Sequence, residues 1–172
     1  MKRLLLLRHA KAVAKDAARD FDRVLSDRGR SDMAVMAEPL ADPALAPGLA
    51  LVSPSARTRE TWTLAGMPDV TTRFEPTIYE ATSDTLLSVV RGVPDDVSCV
   101  IMVGHNPGLE ELALGLGGGA AGGGEGDLLQ SGLPTAALVV FDFPAEGWRA
   151  VALKGGRLDR VVTPASLGGG GG

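Results

Sequence analysis

Three short apolar runs constrain this chain more than any other feature. Leu4–Leu7, Leu49–Val52 and Ser98–Val103 are too short for ordinary helices and nearly free of polar residues. Such runs fit strands of a sheet buried on both faces. Helical signals stand between them. Ser26 can cap a helix over Asp27–Leu40 that sets Met33, Met36, Ala37 and Leu40 on one face, with Pro39 and Pro43 closing it. Ser53 followed by Pro54 reads as cap and first residue of a helix to Gly66. Ser83 can cap a helix over Asp84–Arg91 with Leu86, Leu87 and Val90 inward, and a further helix starts near Pro107 after an Asn106 cap.

Phe74–Tyr79 is a short strand interrupted by Pro76, which places it at an edge or makes it irregular. Ala136–Phe143 and Trp148–Leu153 close the pattern as two strands around the turn Pro144–Gly147. Alternating strands and helices predict an α/β fold, a three-layer sandwich whose mainly parallel central sheet is flanked by helices. The last two strands are expected to be antiparallel near one edge. Gly115–Gly126, nearly all Gly and Ala, reads as a flexible loop with little helix beyond Leu116.

With 172 residues, 1–167 are expected to form a single domain, and 168–172 a glycine tail. The net charge of −4 gives no sign of nucleic-acid or membrane-surface binding. The single cysteine, Cys99, forms no internal disulfide, and four leucines at the N-terminus make no signal core, so a cytoplasmic location is the default. Oligomeric state leaves no mark on the sequence.

The chain has only two histidines, His9 and His105, and each follows an apolar run. In open α/β sheets the ligand crevice lies beyond the carboxyl ends of the strands. Arg8 and His9 fall there, either as a surface arginine and a loop histidine or as a pocket pair that needs a turn of the chain. Arg57 lies in the first turn of its helix, where a cation is unfavourable unless an anion sits nearby. Arg59 points elsewhere, as a solvated or Glu-paired arginine. His105 stands beside another helix start, as a ligand or as a packing histidine. Together the three clusters set phosphate-binding groups at equivalent ends of three strands. A nucleotide-binding fold would need a glycine fingerprint after the first strand, and Arg8–Ala14 holds no glycine.

Leu4–His9 with Ala10, the block Ser53–Thr61 with its core Arg57-Thr58-Arg59-Glu60-Thr61, and Val103–Leu112 resemble the three signatures of the histidine phosphatase superfamily. This is the family of phosphoglycerate mutase-like folds. The small size and the form Val-Gly-His-Asn-Pro-Gly-Leu-Glu-Glu-Leu are similar to its SixA-like branch, as are Asp20–Leu25 and Ile78–Ala81. The resemblance implies a small fold without the large insertion of bigger relatives. It implies His9 as the nucleophile that becomes phosphorylated, and Arg8, Arg57 and His105 as phosphate ligands, with Asn106 a candidate contact beside them. Glu80 is the candidate general acid by position, or a surface glutamate after a strand.

No metal and no cofactor are implied. The expected substrate is phosphohistidine presented by a protein, such as a histidine phosphotransfer domain, in an open pocket. A small phosphomonoester is the alternative, and a non-catalytic phospho-binding module ranks below both. Lys11, Lys15, Asp16, Asp20 and Arg23 follow the nucleophile. Lys11 can add positive potential, and the others read as a solvated loop.

Overall fold

The computed structural model describes residues 1–117 and 124–168. Six strands form one mixed sheet in the order β3-β2-β4-β1-β5-β6. These are β1 (Lys2–Arg8), β2 (Leu49–Val52), β3 (Thr71–Phe74), β4 (Cys99–Gly104), β5 (Leu138–Phe143) and β6 (Arg157–Val162). β1, β2, β3 and β4 run parallel to one another, while β5 is antiparallel to β1 and to β6. The apolar runs thus become the centre of the sheet, and every residue of β2, β4 and β5 is buried.

Alternation along each strand builds two cores. Leu4, Leu6, Leu49, Leu51, Val100 and Met102 face one side of the sheet. Leu5, Leu7, Ala50, Val52, Ile101 and Val103 face the other. The first side is covered by α3 (Ser83–Arg91) and α4 (Gly108–Leu116), the second by α1 (Asp27–Leu40) and α2 (Ala56–Leu64). This is the three-layer arrangement that the pattern predicts. Among the described residues, no helix is long and apolar enough to cross a membrane.

Several local expectations shift, each for a physical reason. Ser26 caps α1 as predicted, accepting from the Gly29 N–H. Asp32 on that helix is nevertheless buried, paired with Arg28 at 3.3 Å. The second helix starts later than expected, because Ser53 N–H still donates to Val103 O in the sheet at 3.1 Å. Its cap is Ser55, whose hydroxyl accepts from the Thr58 N–H. Thr82, not Ser83, caps α3.

The edge strand is β3, which precedes Pro76, and Pro76–Ile78 form a 3-10 turn instead of continuing it. Trp148–Leu153 is not a strand. Trp148–Ala150 form a 3-10 turn in which the fully buried Trp148 donates through Nε1 to Val97 O at 2.7 Å. The last strand is β6, whose charged sequence lines an edge, so alternation is weak there. Part of the expected glycine loop is helical: α5 spans Gly124–Gln130. Residues 118–123 of that loop and 169–172 of the tail lie outside the described residues.

Candidate active site

β1 ends at Arg8, and the backbone of His9 is held from both sides. Its N–H donates to Gly104 O at 3.1 Å, and its C=O accepts from Ala136 N–H at 3.1 Å. The chain then turns, so that Arg8 and His9 line one cavity of about 390 Å³. Arg57, His105, Asn106 and Thr135 share its wall, with Lys11, Ala12, Lys15, Asp20 and Arg23 from the loop after β1. Three of the predicted positions, at the ends of β1, β2 and β4, therefore converge on one place.

α2 is tied to the nucleophile loop by Thr61, whose hydroxyl donates to Arg57 O at 2.7 Å and accepts from Ala10 N–H at 3.0 Å. This one residue fixes Arg57 relative to His9. The Glu60 carboxylate ties the same helix to α1, accepting from Leu25 N–H at 2.9 Å and Arg30 Nε at 2.6 Å.

The ring of His9 is buried and lies 5.3 Å from that of His105, centroid to centroid. Its Nδ1–H donates to Ala10 O at 2.8 Å. A carbonyl oxygen only accepts, so the proton of the neutral ring sits on Nδ1 and the lone pair on Nε2. Burial, with Arg57, Arg8 and Arg23 adding to it, lowers the His9 pKa to about 4. His105 falls to about 3, through burial first and then His9 and Arg57. Both rings are neutral at pH 7.

The cations are only partly engaged. Arg8 Nη1 donates to Leu133 O at 2.9 Å, and Arg57 donates to Asp20 O at 2.7 Å and Asp20 Oδ2 at 3.1 Å. His105 Nε2 lies 2.7 Å from the fully buried Ser53 hydroxyl. Arg8 Nε, Arg57 Nε and His105 Nδ1 are left buried without a hydrogen-bond partner. Orphaned buried donors are rare in folded proteins and mark a place for a ligand.

Asn106 lines the cavity, but its side chain is committed to the scaffold. Nδ2 donates to Leu133 O at 2.9 Å, and Oδ1 accepts from Glu110 N–H at 3.1 Å. Glu80 does not reach the cavity wall. It is exposed, on a left-handed backbone with φ 57°, beside Tyr79.

The loop residues expected to be solvated are partly built into the wall. The Asp20 carboxylate accepts from Arg57 Nη2, from Arg23 Nη2 at 2.9 Å and from the Tyr79 hydroxyl. These bonds, Tyr79 first, hold its carboxyl well below the usual range. In return Asp20, then burial and Glu80, push the Tyr79 hydroxyl up to about 12. Ser53, Tyr79 and Thr135 are the residues that sequence reasoning did not place at the site. Ser53 and Tyr79 fall within the family-like stretches Ser53–Thr61 and Ile78–Ala81, and Thr135 carries no local signal.

The fold is of the phosphoglycerate mutase-like class. No family model matches the sequence. The chain is similar to the structure named phosphohistidine phosphatase SixA from Agrobacterium tumefaciens, 32% identical, with 95% of this chain and 98% of that one covered and a TM-score of 0.76. The like-named protein of Nakamurella multipartitia is 28% identical, with coverage of 95% and 96% and a TM-score of 0.84. An uncharacterised chloroplastic protein of Arabidopsis thaliana is 35% identical over 130 residues, 68% of this chain. The chain spans 60% of the length of that relative. The chain belongs to the histidine phosphatase superfamily, in its SixA-like branch.

Proposed function

We propose that this protein removes phosphate from phosphohistidine carried by another protein, through a phosphorylated His9. The observation that carries this reading is the set of unpartnered buried atoms, Arg8 Nε, Arg57 Nε and His105 Nδ1, around a neutral histidine. In the His105 tautomer whose Nε2 accepts from the Ser53 hydroxyl, the ring proton lies on Nδ1 and all three atoms are donors. Three donors equal in number the three equatorial oxygens of a phosphoryl group in flight, and donors of this kind stabilise its charge.

His9 Nε2 attacks phosphorus in line, and the phosphorus–nitrogen bond of the substrate breaks. The electron pair of that bond passes to the departing imidazole. Its other nitrogen already carries a proton, so it leaves neutral. The new phosphohistidine keeps its Nδ1–H on Ala10 O. Water then attacks phosphorus, the electron pair of the phosphorus–nitrogen bond returns to Nε2, and both water protons leave with the phosphate as dihydrogen phosphate.

The choice of leaving group follows from the missing acid. Glu80 lies outside the wall, and Asp20 is held as a carboxylate by Tyr79, Arg23 and Arg57. An alkoxide needs a proton on departure, whereas a protonated imidazole needs none. The phosphate pocket serves either substrate class, and a small phosphomonoester is the second reading. Names of the SixA relatives favour phosphohistidine.

The test is brief reaction with a phosphorylated histidine phosphotransfer domain, followed by quenching at alkaline pH. Acid-labile phosphate is expected on His9 and absent from His9→Ala. A labelled, active His9→Ala would remove His9 as nucleophile. Faster turnover of sugar phosphates than of the phosphorylated domain would overturn the protein-substrate reading.

A further inference from the structure

A row of aromatic rings leads from the reacting histidine to the protein surface. His105 lies 5.3 Å from His9, Tyr79 meets His105 edge-on at 5.5 Å, and Phe21 meets Tyr79 edge-on at 5.2 Å. Phe21 sits on the 3-10 turn Asp20–Asp22 and is 38% exposed, next to the 44% exposed Val24. Phe21 is thus an aromatic ring left partly in water at the outer end of a row that starts at the reacting histidine, where a planar group can lie against it. Phe21 directly follows Asp20, whose carboxylate forms part of the cavity wall.

On the phosphohistidine reading, we propose that Phe21, with Tyr79 behind it and Asp20 beside it, forms the subsite for the leaving imidazole ring. The chemistry of that ring selects this surface. It is planar, and with its second nitrogen protonated it is cationic. A cationic ring is attracted to the face of an aromatic side chain and to a nearby carboxylate. Keeping that proton in place preserves the ring as a good leaving group. A ringless phosphoramidate has the same phosphorus–nitrogen bond and gains nothing from Phe21. Phe21 is thus a specificity-determining residue, and its effect falls on substrate binding.

The experiment compares a phosphohistidine peptide with phosphoramidate as substrates of wild type, Phe21→Ala, Phe21→Leu and Phe21→Trp. The readout is the ratio of the two kcat/KM values within each variant, which cancels any loss of folded enzyme. The ratio is expected to fall about tenfold in Phe21→Ala and Phe21→Leu through KM of the peptide, and to survive in Phe21→Trp. A ratio kept by Phe21→Ala or Phe21→Leu, in an enzyme whose wild type hydrolyses the peptide, overturns the subsite. Failure of the wild type on the peptide overturns the function reading itself.

Discussion

The Nδ1–H of His9 donates to the carbonyl oxygen of Ala10, its immediate neighbour in the chain, at 2.8 Å. This contact leaves Nε2 as the one ring atom with a free lone pair. It also ties the ring to a backbone that Thr61 anchors through Ala10 N–H.

The first prediction concerns protonation. Burial holds His9 near pKa 4 and His105 near 3, against about 6.5 for a free histidine. The unfolded chain therefore binds protons that the folded chain refuses between these values. Stability from the neutral rings is full above about pH 6.5 and is lost as pH falls toward 4 and then 3. An NMR titration of the ring resonances is expected to place the His9 midpoint near 4. The urea midpoint is expected to fall over the same window. A His9 midpoint near 6.5 would contradict the buried neutral ring.

The second concerns Ser53. Its hydroxyl is the buried partner of His105 Nε2 at 2.7 Å. Ser53→Ala leaves that nitrogen buried without a partner, at about 1–3 kcal/mol, and frees the ring to change tautomer. The expected result is a fall in kcat/KM of roughly tenfold to a hundredfold, with a shifted His105 tautomer signal in ¹⁵N NMR. Unchanged kcat/KM would mean that His105 is positioned by packing alone.

The third concerns two glycines at helix starts. A Cβ on Gly29 would lie 2.2 Å from Lys11 O, and one on Gly108 would lie 2.3 Å from Ala81 O. Both contacts are with backbone, so the helix start would have to move. Gly29→Ala and Gly108→Ala are each expected to cost about 1–3 kcal/mol. For a chain of this size that is roughly 2–12 °C in Tm. Gly92→Ala is the contrast, since its Cβ would meet only atoms at 3.5 Å or beyond. It is expected to leave Tm unchanged or slightly raised. Equal losses at all three positions would remove close approach as the cause.

The pocket's outline was legible because its parts are local. Arg8-His9, Arg57 and His105 each follow a strand that its apolar run already marks, and parallel strands bring equivalent ends together. Other features are decided between segments. Ser53 reads as a cap from its neighbours, yet Val103 O keeps it in the sheet, where its hydroxyl meets His105. Asn106 lines the cavity, and Leu133 O and Glu110 N–H, from a later segment and from the next helix, hold its amide. Glu80 reads as an acid by its position in the chain, and folding sets it exposed on a left-handed turn beside Tyr79.

The residue pattern alone dictates the α/β layering, because burial on both faces of a sheet demands short apolar runs between amphipathic helices. It also determined which two histidines were available for chemistry. The tautomer of His9, the partner of His105 and the entry of Asp20 into the wall emerge only when the chain folds. Those depend on hydrogen bonds between groups up to 59 positions apart, and hydrogen-bond geometry carries no pattern along the chain.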